Sequence, residues 1–186
     1  MPAEGNIASH GRQLAKKLGA WVIAFCLLVS IARGADTPLE YDVKAAFLLN
    51  FTKFIDWPES AFSAPDAPFA ICILGPDAFK NALDKMVEGE TVNARKLVVR
   101  RVQRQQTGGC QILFVSKSEK NFSTALAGEG MGVLTVGESD SFFRDGGVIN
   151  FVIENKRVRF DVNQTAAKRV GLDLSSKLLQ VARKVD

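Results

Sequence analysis

The sequence predicts an α/β fold: a single domain on a mixed β-sheet, with helices on its faces and a β-hairpin in its C-terminal half. Three observations predict it. Two short continuous apolar runs, FAICIL (69–74) and QILFV (111–115), have the length and composition of strands buried on both faces. Helix-period segments alternate with the strand patterns, and that alternation builds a sheet covered by helices. Late in the chain, two strand patterns flank Asn155-Lys156 at hairpin spacing.

The first 34 residues read as an export signal. Arg12, Lys16 and Lys17 form a positive start, and Ala20 to Ala32 is an apolar run too short to span a bilayer comfortably. Ala32-Arg33-Gly34 places small residues where a signal peptidase reads them, so cleavage is expected after Gly34, leaving one domain over 35–186. An uncleaved anchor is the rival reading. Phe25 before Cys26 argues against a lipoprotein site. Without Arg12, Lys16, Lys17, Arg33 and Glu4, the 24 basic and 20 acidic residues become 20 and 19, a net charge of +1. The positive charge therefore belongs mostly to the signal, and nucleic-acid binding by bulk charge loses its support. No later apolar run reaches membrane-spanning length, so no span is expected in the mature chain.

His10 is the only histidine, and it falls in the expected signal. A mature chain without histidine hosts no Ser-His-Asp or Cys-His nucleophile and no histidine-ligated metal. Carboxylate or lysine chemistry remains, but a binding protein without cofactor is favoured over an enzyme.

Tyr41 to Asp56 is an apolar-dense helix that runs into Trp57-Pro58. Its spacing puts Val43, Phe47, Leu48, Phe51, Phe54 and Ile55 on one broad face and Asp42, Thr52, Lys53 and Asp56 on the other. Two residues break these faces. Lys44 falls among the apolar positions, where it meets a carboxylate, binds an anion or extends its stem to water. Leu49 falls among the polar ones, as a lone exposed leucine or part of a partner-binding patch. Further helices are expected at Pro76–Glu88, with Phe79, Leu83 and Val87 on one stripe, at Glu119–Ala127 capped by Ser118, at Gln164–Val170, and at Ser175–Arg183. Further strands are expected at Lys96–Val102, Gly132–Val136, Val148–Glu154 and Arg157–Val162.

Cys72 lies in one apolar strand and Cys110 opens another, and if those strands are neighbours the two come within disulfide reach. A structural staple, a redox-sensitive switch and two buried free thiols all remain open. The glycine pairs and clusters at 108–109, 128–132 and 146–147 lack phosphate-loop spacing and read as turns. Glu138, Asp140 and Asp145 read as solvated loop carboxylates. Arg100, Arg101 and Arg104 end a strand in positive charge, as a solvated edge or a dock for an acidic partner.

In order, YDVKAAFLLNFTKFIDWP (41–58), ICILG (71–75), KLVVRR (96–101), CQILFVS (110–116), VLTVGE (133–138), GGVINFV (146–152), RVRFDVN (157–163) and LSSKLLQVA (174–182) resemble the YfiR family of exported bacterial proteins. The resemblance covers nearly the whole mature chain. It implies a periplasmic, non-enzymatic repressor that binds the periplasmic part of an inner-membrane diguanylate cyclase and so controls cyclic-di-GMP signalling. It also implies an outer-membrane lipoprotein that sequesters the repressor, and a homodimer. It pairs Cys72 with Cys110, whereas a second family disulfide has no counterpart, since no cysteine lies near Phe143 or Asn150. Lys44, Leu49, Arg100 and Arg101 are the candidate partner-binding residues. The alternative from the residues alone is a periplasmic small-ligand binding protein with a Phe-rich pocket.

Overall fold

A computed structural model describes residues 38–119, 122–123 and 130–186. The expected export signal and most of the expected helix at Glu119–Ala127 lie outside the described residues.

Helix α1 spans Pro38–Phe54, with Glu40 in its first turn and Lys53 in its last, both matched to the helix dipole. It ends two residues before the expected Asp56. Ile55–Asp56 (β1) leaves the helix to pair antiparallel with Asp173–Leu174 (β9), and Ser175 N donates to the Phe54 carbonyl at 3.0 Å. Trp57 precedes Pro58, a position that disfavours helical backbone. The segment is then pinned by Gln111, which opens the QILFV run and is buried, with hydrogen bonds the pattern did not indicate. Its carbonyl accepts from Trp57 Nε1 at 3.3 Å, its Nε2 donates to Ala61 O at 2.6 Å, and its Oε1 accepts from Ala70 N at 2.8 Å.

The main sheet holds β2 (Phe69–Leu74), β3 (Thr91–Val92), β4 (Arg95–Val102), β5 (Ile112–Val115), β6 (Leu134–Gly137), β7 (Ile149–Glu154), β8 (Arg157–Val162) and β10 (Lys184–Val185), in the order β10-β8-β7-β6-β5-β2-β4-β3. The sheet is mixed, as expected. Strands β4, β2, β5, β6 and β7 run parallel to one another, β8 returns antiparallel to β7, β10 lies parallel to β8, and β3 is antiparallel to β4. The hairpin turn sits at Asn155-Lys156, with φ of 50° and 62°, the left-handed pair that a two-residue turn between twisted strands requires.

Helix α2 covers Ala82–Val87, six residues short of the expected start at Pro76. Asp77 Oδ1 accepts from Phe79 N at 2.9 Å, a local turn that competes with helix, and Lys80 takes a φ of 55°. Phe79, Leu83 and Val87 are nevertheless buried. Helix α3 (Gln164–Arg169) is capped by Asn163, and α4 (Ser176–Val181) by Ser175, whose Oγ accepts from Leu178 N at 3.3 Å.

Alternation along the strands gives the sheet two apolar faces. Phe69, Ile71 and Ile73 of β2, with Ile112 and Phe114 of β5, join one cluster with α1, α2, α3 and α4. Phe51 packs there against Phe160 and Phe151, with centroids 5.2 and 6.1 Å apart. Ala70, Cys72, Leu74, Leu113 and Val115 face the other way, under Phe122 and Phe142. Phe142 is fully buried, and its ring lies on Gly137 and Gly147. A Cβ at those positions would come within 2.2 and 2.1 Å of it. Gly147, expected only as a turn residue, is therefore needed for close approach.

Candidate functional site

The buried side of α1 differs from the sequence reading. Tyr41, Lys44, Ala45, Leu48, Phe51, Thr52 and Ile55 are buried, while Phe54 is 38% exposed and Phe47 half-buried. Relative to the apolar stripe, the helix is rotated so that Tyr41, Ala45 and Thr52 turn inward beside Lys44, which the spacing already placed among the apolar positions, and part of the stripe turns outward. Each inward polar group has a partner. Thr52 Oγ1 donates to the Leu49 carbonyl at 2.7 Å. Lys44 Nζ lies 2.5 Å from Glu138 Oε2, pairs also with Glu40, and sits 4.4 Å from the centre of the Tyr41 ring. Glu138 in turn accepts from Tyr41 Oη at 3.0 Å and from Lys117 N at 2.9 Å.

This cluster corrects one expectation and decides between the alternatives left for another. Glu138 is no solvated loop residue: its side chain is 4% exposed, like that of Lys44. Lys44 takes one of the three readings its position allowed: it meets carboxylates, because a buried ammonium needs anionic neighbours and Glu40 and Glu138 supply them. The signal for Glu138 was its place directly after the buried central strand β6, at the strand's C-terminal end. Leu49 is half-buried and packs against the helical-side core, so it is not a lone exposed leucine.

The rotation leaves a groove between α1, β8 and α4. Phe47, Phe51 and Phe54 line it from the first helix, Phe160 from the strand, and Leu178 and Val181 from the last helix. Its volume is about 250 Å³, and Asn50 and Lys177 complete its wall. Phe54 and Val181, 38% and 58% exposed, keep it open to solvent. Among the described residues Lys177 is exposed and has no ion-pair partner. Sequence reasoning treated the Phe stripe as core and did not single out Lys177 or Val181. No local signal marked them, since the groove exists only where three elements meet.

The arginine strand end is mostly satisfied within the chain. Arg101 donates to Asp77 Oδ2 at 2.7 Å, to Asp84 Oδ1 at 2.6 Å and to the Lys80 carbonyl at 2.9 Å. Its hydrogen bond holds the Asp84 carboxyl below the usual carboxylate range, and Asp84 and Asp77 push the guanidinium higher still. Arg104 pairs with Glu119. Arg100 is exposed and donates to the Gly108 carbonyl at 3.1 Å. Cys72 and Cys110 form a disulfide with Cα atoms 5.8 Å apart, and both residues are buried, on the sheet face opposite the groove. The free-thiol alternative is thus not what the structure contains.

Comparison with known proteins adds three findings. The sequence profile of the YfiR/HmsC-like family matches residues 41–183. No curated protein matches the chain. Among solved structures, a conserved domain protein from Vibrio cholerae O1 biovar El Tor is similar at a TM-score of 0.50 and 9% identity, over 78% of this chain and 60% of that one. An ABC domain in complex with L-Trp from Streptococcus pneumonia reaches a TM-score of 0.47 at 12% identity, over 63% of this chain and 55% of that one. The chain thus spans less than two thirds of the length of either. At these identities the first similarity concerns the fold alone, and the second carries no argument.

Proposed function

The chain belongs to the YfiR/HmsC-like family, and from that premise we propose that it is an exported regulator that binds and inhibits the periplasmic part of an inner-membrane diguanylate cyclase. The family match over 41–183 carries this reading. Several features support it. The first 34 residues have the pattern of an export signal. Among the described residues no helix is long and apolar enough to cross a membrane. A buried disulfide suits an oxidising compartment. Binding acts by stabilising one conformer of the cyclase and shifting its population toward the inactive state. An outer-membrane lipoprotein that sequesters the regulator, and self-association into a dimer, belong to the same proposal.

A second reading, a periplasmic small-ligand binding protein, draws on the Phe-lined groove. At about 250 Å³ the groove falls below the roughly 300–1,000 Å³ of pockets that enclose a drug-sized ligand, so this reading ranks second. The deciding measurement is cyclic-di-GMP in a strain deleted for this chain. A rise that is reversed by supplying the chain supports the regulator. An unchanged level in the deletion strain overturns it.

A further inference from the structure

We propose that the groove between α1 and α4 receives an amphipathic helix of the partner, which inserts two apolar side chains about one turn apart and presents a carboxylate to Lys177. The inference rests on the reading of the chain as a binding regulator, but not on the identity of its target. Its first support is the rotation of α1. The helix buries Lys44 and Thr52, where Glu40, Glu138 and the Leu49 carbonyl satisfy them, and leaves Phe54 exposed and Phe47 half-buried, its ring against Phe160 and Phe151 of the sheet and its remaining surface on the groove. A helix with spare apolar surface beside a second short helix makes a trough of the kind that takes a third helix by its i, i+3 and i+4 positions.

The second support is charge. Lys177 is the one charged residue in the groove wall, and no described residue pairs with it. An apolar trough with a single unpaired ammonium on its wall is complementary to an apolar stripe flanked by Asp or Glu. It is poorly complementary to a second copy of the same groove, which would bring two ammonium groups together. The third support is the supply of large, stiff anchors. Phe47, Phe51, Phe54 and Phe160 present aromatic surface in one place, and such residues dominate binding energy once a partner excludes water from them.

The test uses the full chain in cells, with a photo-crosslinking amino acid at Val181 and, as a control, at Lys85 on α2, which is exposed and does not line the groove. The expected product joins position 181 to the periplasmic part of an inner-membrane cyclase, with crosslinks mapped three or four residues apart, and the Lys85 site gives none. Lys177→Glu lowers the product about fivefold, as expected for one partly exposed ion pair. Placing a lysine at the mapped partner carboxylate restores it. Lys177 is solvent-exposed, so folding is unaffected, which an unchanged melting temperature verifies. The proposal falls if Val181 crosslinks to a second copy of this chain, if mapped positions lack helical spacing, if Lys177→Glu changes nothing, or if native mass spectra of the periplasmic protein show a stoichiometric small molecule in the groove. Cyclic-di-GMP separates the two readings. If Lys177→Glu and Val181→Asp repress as fully as the unaltered chain while deletion raises the level, the regulator stands and the groove proposal fails. If deletion leaves the level unchanged, the regulator reading fails, and the crosslink map alone decides the groove.

Discussion

The two flanks of α1 are built on opposite principles. On one, a lysine and a threonine are buried. On the other, Phe47 and Phe54 stay partly in water. Simple amphipathic packing would reverse this. The buried flank works because every polar group on it is satisfied: Lys44 by two carboxylates, Thr52 by a carbonyl, and Glu138 by Lys44, Tyr41 and a backbone amide. Removing one member would leave an uncompensated charge, so that flank holds the fold together. The open flank has no such coupling. Phe54, 38% exposed, can change with little effect on folding, which is the freedom a recognition surface needs, whereas Phe47 is held half-buried by Phe51, Phe151 and Phe160.

Four experiments test this contrast and set it beside the rest of the fold. Lys44→Met is expected to have the largest effect. It leaves Glu138 buried and unpaired, which costs about 3–5 kcal/mol of unfolding free energy by urea titration. Adding Glu138→Gln should recover part of the loss, and no recovery would mean that the two charges do not act as a pair. Next comes Cys72→Ala with Cys110→Ala. Opening a loop of 38 residues should cost about 3–4 kcal/mol on the chain-entropy model. Because both sulfurs are buried, dithiothreitol should leave the bridge intact in the native protein and reduce it only in denaturant, as read by alkylation and mass. Rapid reduction in the folded state would favour a redox switch over a staple.

On the open flank, Phe54→Ala should change stability by less than about 1 kcal/mol, because the ring is already partly solvated. A loss as large as that of Lys44→Met would show that this flank, too, is structural. The smallest expected effect is at Asp84. The Arg101 hydrogen bond lowers its native carboxyl below the unfolded value, so the bond adds stability above about pH 4 and loses it as pH falls through the lowered native value. With both side chains more than two-fifths exposed, Asp84→Asn should remove under about 1 kcal/mol at neutral pH, and the acid limb of the stability curve should flatten slightly.

Much of the fold was legible in local pattern. FAICIL occupies β2 at the expected residues, and the hairpin turns at Asn155-Lys156 because those two residues tolerate the left-handed backbone between strands. Ser175 caps α4 as its position predicted. The shortened α2 was not legible from periodicity, since the turn held by Asp77 is a local hydrogen bond that overrides an apolar stripe of correct spacing. The two-residue strands β1, β9 and β10 were missed because nothing within two residues encodes a distant pairing partner.

The order of elements and the mixed character of the sheet follow from the sequence, because periodicity and turn chemistry are local properties of the chain, whereas the closeness of the two cysteines depends on β2 and β5 becoming neighbours in the sheet. Which way α1 faces is not local. Val43, Phe47 and Phe54 argue for one orientation by hydrophobicity, and the burial of Tyr41, Ala45 and Thr52 shows another, in which Lys44 is held by its carboxylate partners. One of those partners, Glu138, lies 94 residues away. Only the tertiary structure brings that carboxylate to the lysine, and the same rotation opens the groove beside Lys177 and Val181.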